Sequence, residues 1–407
     1  MSTQTLSKQQ QSTNIPFQDF LMPGNFRFGV DTFYTLLDEV KKLKVQKITV
    51  ISDKGLERVG VVQRVLDLIE PLSLKCTTFT EISGEPTFNL LKTSVEYVKK
   101  ENSELVIGIG GGSALDVAKA TAALADKDDL APYLSGQSTI ESRTVKCILL
   151  PTTSGTGSEV TMNAIFGDEE QELKRGIVSR SFLPDLAIVD PALTLSCPPK
   201  VTAASGVDAF THAIESYIAV RATPLTKIYA ERAMKLFSSN ITKSVHNGKD
   251  INGRIGMSWV STLAGVSLAN AGVGAVHALA YPLGGKYHIE HGVSNAMLMP
   301  FVFEVTGKTC TEEMVDVASY LHLGDFNNHP HKALDAVVQY LYELLETLDL
   351  PTSLSELGIK REDLPHLAQQ ASKIDRLLSN TPYRLTEQKI LQIYEKAYQG
   401  PKTRNMG

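Results

Sequence analysis

The sequence is poor in features that would commit it to several common classes of protein. Its four cysteines, Cys76, Cys147, Cys197 and Cys310, lie far apart and form no C-x-x-C pair, which argues against a disulfide framework or a cysteine metal site. They read as reduced thiols of a cytoplasmic chain. No apolar run approaches the roughly 20 residues needed to span a bilayer, and residues 1–14 are polar and glutamine-rich rather than basic then apolar, so neither a membrane partner nor a signal peptide is expected. A net charge of -5 gives no field for a polyanion, and nucleic acid is not expected as a partner. No cluster of basic residues along the chain marks an acidic substrate. What remains is an ordinary globular composition, 43% apolar and 21% charged, on 407 residues. That length exceeds one hydrophobic core, so two domains with a cleft between them are expected.

Phe33, Leu36, Leu37, Val40 and Leu43 fall at helical spacing, and the apolar residues 48–51 follow as a short strand. Helices over 61–72 and 87–100, a buried strand over 105–109, a helix over 113–124 and a strand over 147–150 continue the alternation. Such alternation predicts a parallel sheet with helices on both faces. Near Pro191 it stops. Helical periodicity then runs through 203–220, 226–245, 254–279, 333–348 and 387–398 with no strand between. The expectation is a polar tail over 1–15, an α/β domain over 16–195 and an all-helical domain over 196–407, with the boundary in the proline-containing stretch 190–200.

The strand 105–109 runs into Gly110, Gly111 and Gly112, and a helix opens with Ser113 and Asp116 in a spacing that resembles a capping box. Backbone N–H groups without Cβ cover, at a helix N-terminus, suit a pyrophosphate; a tight turn that binds nothing has the same pattern. A second polar loop, 151–161, carries Thr152, Thr153 and Thr161 after the strand 147–150, where an open parallel sheet holds its ligands. Two such loops suggest a dinucleotide, although the second alone also reads as a Ser/Thr-rich connector. Asp53 ends the first strand, where a carboxylate can accept ribose hydroxyls and repel a 2′-phosphate, or simply finish the strand.

Asp208 and His212 stand four apart on an expected helix and so share one face; Glu215 follows near it, as a supporting acid or a solvated one. His277 lies at the end of an apolar helix and His291 follows a turn containing proline and glycine. A histidine in such a helix is commonly a satisfied core residue, but one carboxylate and three imidazoles together suit a borderline ion, Fe²⁺ or alternatively Zn²⁺, better than Mg²⁺ or Ca²⁺. His246, His322, His329, His331 and His366 read as surface residues, and His288 as surface or supporting the cluster.

Taken together, G-G-G-S at Gly110–Ser113 with Asp116 and Lys119, P-T-T-S-G-T-G-S-E at 151–159, G-x-D-A-x-x-H-A-I-E at 206–215, and H-A-x-x-x-P-L-G-G with the later H-G resemble the iron-containing (group III) alcohol dehydrogenase family, which includes lactaldehyde reductase and 1,3-propanediol dehydrogenase. The resemblance runs from about residue 16 to the C-terminal helix. It implies a dehydroquinate-synthase-like fold, a dinucleotide-binding α/β domain before a helical metal-binding domain, in a homodimer or higher homo-oligomer. It implies Asp208, His212, His277 and His291 as metal ligands, and NAD held by Asp53, by Gly110, Gly111, Gly112 and Ser113 with Asp116, by Thr152, Thr153 and Thr161, and by Lys174 near the nicotinamide ribose. Asn163 would face the substrate. Two departures stand out: Tyr281 occupies a position where many members have histidine, which leaves the proton to Tyr281, the ribose or water, and Glu85-Pro86-Thr87 replaces Asn-Pro-Thr, which alters an expected adenosine-side contact. The implied reaction is hydride transfer between a small primary alcohol or diol and NAD, with the metal as Lewis acid and His277, His291 and Tyr281 at the reacting centre. A glycerol- or hydroxyacid-specific dehydrogenase is the alternative within the superfamily; a dehydroquinate-synthase-like lyase on a related scaffold or a non-catalytic NAD-binding assembly protein is the alternative of another class.

Overall fold

Runs such as Leu-Val-Ile-Gly-Ile-Gly, apolar on both faces, become strands only when helices cover them from both sides. The computed structural model describes residues 19–169 and 173–401; the expected tail over 1–15 and the start of the α/β domain at 16 lie outside the described residues. Strands β1 (Phe26–Phe28), β2 (Lys47–Asp53), β3 (Lys75–Ile82), β4 (Leu105–Gly110), β5 (Lys146–Pro151) and β8 (Leu186–Val189) form one parallel sheet in the order β1-β8-β5-β4-β2-β3. Strands β6 (Asn163–Asp168) and β7 (Leu173–Val178) make a separate antiparallel hairpin. Leu105, Ile107 and Ile109 of β4 pack to one face with Val62 and Val65, while Val106 packs to the other with Val95 and Ala118. Helices α1 (Leu36–Leu43), α2 (Lys54–Arg58), α3 (Val61–Ile69), α4 (Phe88–Glu101), α5 (Gly112–Leu124) and α6 (Ala131–Leu134) accompany the strands.

After β2 the chain builds β3 on one side, then returns to place β4 on the other. The carboxyl ends of β2 and β4 therefore flank the switch point where a doubly wound sheet opens a crevice. Asp53 ends β2 there and Gly110 ends β4.

The C-terminal half is helical: α7 (Pro199–Ile218), α8 (Pro224–His246), α9 (Ile251–Ala271), α10 (Ala275–Tyr287), α11 (His291–Thr306), α12 (Thr311–Tyr320), α13 (Pro330–Thr347), α14 (Leu364–Ser372), α15 (Asp375–Leu378) and α16 (Glu387–Gln399). They enclose a single large apolar cluster that includes Phe210, Phe237, Phe301 and Tyr394. Among the described residues no single helix is long and apolar enough to cross a membrane.

The structure corrects four expectations. Residues 254–279 are not one helix, because Gly272, at φ 77°, ends α9 and α10 leaves at an angle of 101°. His277 therefore lies in the first turn of α10 rather than at the end of a helix. Strands β1, β3 and β8 and the β6–β7 hairpin carry too short or too polar a pattern to stand out by period. Helix α5 begins at Gly112 without a side-chain cap, so the Ser113 and Asp116 capping box does not form.

Candidate active site

Two connected hollows lie along the carboxyl edge of the sheet. The first, about 630 Å³, is lined by Asp53, Gly111, Gly112, Ser113, Thr152 and Thr153. The second, about 670 Å³, lies between the sheet and the helical half and is lined by Asn163, Tyr281 and three histidines, His212, His277 and His291. Gly112 and Ser113 line both, so the N-terminus of α5 stands at their junction. The exposed amides and partial positive charge of that terminus favour an anion there.

The two polar loops hold each other in place. A Cβ on Gly112 would lie 2.5 Å from Thr156 Cγ2. Lys119, fully buried, donates to Ser158 O and Oγ at 2.9 Å each and to Thr161 Oγ1 at 3.0 Å, and pairs with Asp116 at 3.1 Å. Asp116, expected at the cofactor, accepts from Ser158 Oγ at 2.5 Å and from the Ile165 amide at 2.9 Å, so its carboxylate fixes the second loop and the hairpin. Asp53 lines the first hollow and also caps α2 by accepting from the Leu56 amide. Thr161 and Asn163 line the second hollow. Lys174 is buried, with its ammonium 2.9 Å from Glu85. Glu85 lines the histidine-rich hollow and accepts from the His291 amide at 3.3 Å, so the Glu-Pro-Thr departure also bears on the histidine end.

Asp208, His212, His277 and His291 each offer one donor atom, all within 4.8 Å of one another. Asp208 Oδ1 lies 3.7, 3.8 and 3.9 Å from the Nε2 atoms of His212, His277 and His291. These gaps are too long for hydrogen bonds and comparable to the edge, about 3.4 Å, of a tetrahedron with bonds near 2.1 Å. The donor set fits a divalent ion of the Fe²⁺ or Zn²⁺ kind. Burial holds His291 down to about 3 and lowers His212, which keeps both imidazoles neutral and able to donate a lone pair. For Asp208, burial works upward, but the three imidazoles and the Asn295 amide outweigh it and hold the carboxyl at about 2.

Two neighbours complete the cluster. Glu215 is buried and accepts from His277 Nδ1 at 2.6 Å and from the Val276 amide at 2.7 Å. It thereby fixes the tautomer that turns Nε2 of His277 toward the other donors. Asn295 turns its amide nitrogen to Asp208 Oδ1 at 2.7 Å and to Nε2 of His277 and His291 at 3.1 and 3.2 Å, while its buried Oδ1 has no partner among the described residues. A donor edge thus faces the lone pairs that a cation would take. Asn295 stands four residues after His291 on α11, a spacing invisible while 291–306 was not expected to be helical. His288 is exposed, against a supporting role, as are His246, His322, His329, His331 and His366.

Residues 23–191 match the profile of the iron-containing alcohol dehydrogenases, and residues 202–398 match that of the family's C-terminal part. The chain belongs to the iron-containing alcohol dehydrogenase family. Among its relatives, the long-chain-alcohol dehydrogenase 1 of Geobacillus thermodenitrificans is 40% identical over 90% of this chain and 93% of its own. The alcohol dehydrogenase from Oenococcus oeni superposes with a TM-score of 0.88 at 30% identity, covering 94% of this chain and all of that one, 100%. The sulfoacetaldehyde reductase from Bifidobacterium kashiwanohense, solved in complex with NAD⁺, gives a TM-score of 0.84 at 27% identity over 94% and 99% of the two chains. The fold is the family's dehydroquinate-synthase-like one, and the activity is that of an NAD- and metal-dependent alcohol dehydrogenase or aldehyde reductase.

Proposed function

We propose that Asp208, His212, His277 and His291 hold one divalent ion, iron or alternatively zinc, where a primary alcohol is oxidised, or its aldehyde reduced, at the cleft between an α/β domain over 16–195 and a helical domain over 196–407. The observation that carries this reading is the gathering of the four donors within 4.8 Å, in a hollow that shares Gly112 and Ser113 with the crevice at the sheet's switch point. Once bound, the ion supplies Lewis acidity toward the substrate oxygen and NAD supplies the hydride acceptor. The amides of Gly111, Gly112 and Ser113 receive the pyrophosphate; Gly110 and Thr152 keep the strand ends in line, with the Thr152 amide donating to Gly110 O at 2.9 Å. Asp53 and Thr153 take the adenosine side, Thr161 lies along the cofactor, Lys174 serves the nicotinamide side through its pairing with Glu85, and Asn163 borders the substrate.

Tyr281 sits beside His291, their rings 6.2 Å apart, and burial pushes its phenol up. At neutral pH it keeps its proton, so it orients an oxygen as a donor rather than removing a proton as a base. A small primary alcohol or diol fits the hollow. The chain works in the cytoplasm as a homodimer or higher homo-oligomer, a reading supported by its four free thiols and by the family resemblance.

The test is NADH formation from small primary alcohols by protein stripped of metal and then reloaded with Fe²⁺ or Zn²⁺. Turnover that falls on stripping and returns on reloading is expected; full turnover without metal contradicts the reading.

A further inference from the structure

Two arginines from remote parts of the helical half line the hollow that holds the histidines, Arg221 after α7 and Arg376 in α15. Buried Asn380 joins their segments. Its Oδ1 accepts from the Arg221 amide at 3.2 Å, its carbonyl accepts from the Val220 amide at 2.9 Å, and its amide donates to Ala271 O and Val273 O at 2.9 and 3.0 Å. Arg221, the bend at Gly272 and α15 are thus one platform. The bend calls for glycine because its φ there is 77°, and the Arg221 guanidinium lies against it, with Nη2 2.3 Å from where a Cβ would stand. Arg376 reaches across to the hairpin, with Nη2 3.2 Å from where a Cβ on Gly176 would stand. Its charge is felt at the metal end: burial raises the Tyr281 phenol, and Arg376 draws it back down.

The acids of the same wall are already matched, Asp19 by Arg180, Asp116 by Lys119 and Glu85 by Lys174. Among the described residues neither Arg221 nor Arg376 forms an ion pair, although both line the hollow. Two guanidiniums without an acid partner on one hollow supply the positive charge and N–H donors that an oxyanion needs.

We propose that Arg221 and Arg376 form an anion subsite, so that the preferred substrate is a short primary alcohol, or its aldehyde, whose far end carries a carboxylate or sulfonate. The proposal rests on the reading of the histidine end as the place of alcohol oxidation. It gives the chamber a polarity: the hydroxyl carbon at the metal donors, the oxyanion at the arginine platform, and the chain between them along Leu268 and Val273.

The test compares kcat/KM of the metal-loaded enzyme for 4-hydroxybutanoate and 3-hydroxypropane-1-sulfonate with that for 1-butanol and 1,4-butanediol. The anionic alcohols are expected to win by about tenfold, a margin that shrinks as salt is added, because the arginines are exposed. Arg376→Gln and Arg221→Gln are each expected to lower the anionic-to-neutral ratio, chiefly through KM, with Arg376→Lys keeping part of it. Equal turnover of both classes, or a ratio that survives the double substitution, overturns the subsite while leaving the dehydrogenase reading in place. A weaker KM for NAD with an unchanged ratio assigns the guanidiniums to the cofactor and overturns it as well. No turnover of any alcohol overturns the dehydrogenase reading and the subsite together.

Discussion

Glu215→Gln isolates the link between the buried acid and the metal donors. The glutamate makes two short contacts, to His277 Nδ1 at 2.6 Å and to the Val276 amide at 2.7 Å. Glutamine keeps the shape but removes the charge, and only one of its two terminal atoms accepts, so one N–H must face an NH₂ group. A hydrogen bond to a charged group contributes about 1.5–3 kcal/mol, against about 1 kcal/mol for a neutral one. The difference, together with the freed tautomer of His277, predicts a loss of about 10–100-fold in metal affinity, the range seen when such supporting partners are removed. The assay is competition of metal-stripped protein with a coloured chelator for Co²⁺ or Zn²⁺, with a thermal melt to establish that the variant is folded. A folded variant with unchanged metal affinity refutes the reasoning.

Three further outcomes follow from the same geometry. Lys119→Met removes the cation that Asp116, Ser158 and Thr161 share and leaves a largely buried carboxylate, so stability falls by on the order of 3 kcal/mol in urea unfolding. Gly112→Ala forces a Cβ to within 2.5 Å of Thr156, at the meeting of the two loops, and weakens NADH binding by about tenfold in fluorescence titration. Glu159 is buried, with Thr262 as a hydrogen-bond partner at 3.3 Å, and burial raises its carboxyl. Its charged form is disfavoured in the folded chain, so its cost is absent below the unfolded value, near pH 4, and grows as pH rises toward the folded one. Glu159→Gln therefore raises the melting temperature at pH 8 more than at pH 5.

Much of this was legible in residues with a strong local signature. The apolar strand before Gly110 and the spacing of Asp208 and His212 each carry their geometry within a few positions, and both lie where that geometry requires. The missing parts have no such signature. Helix α11 is apolar on most sides from Ala296 to Phe303, and a fully buried helix shows no period, so the relation of Asn295 to His291 was hidden. The break after Ala271 lies inside an otherwise continuous apolar pattern, and only the Gly272 turn separates α9 from α10. Arg221 and Arg376 look like scattered surface charges until Asn380 brings their segments together. Only the resemblance speaks of Glu85, on the adenosine side; its contact with the His291 amide depends on the turn into α4, which no local pattern shows.

The central claim is that four side chains from three helices hold one ion. Its most direct test is the metal content of chelator-free protein by mass spectrometry, wild type beside His212→Ala and Asp208→Asn. The account predicts one transition-metal ion per folded wild-type chain and its loss from both folded variants; stoichiometric metal retained in either variant would contradict it.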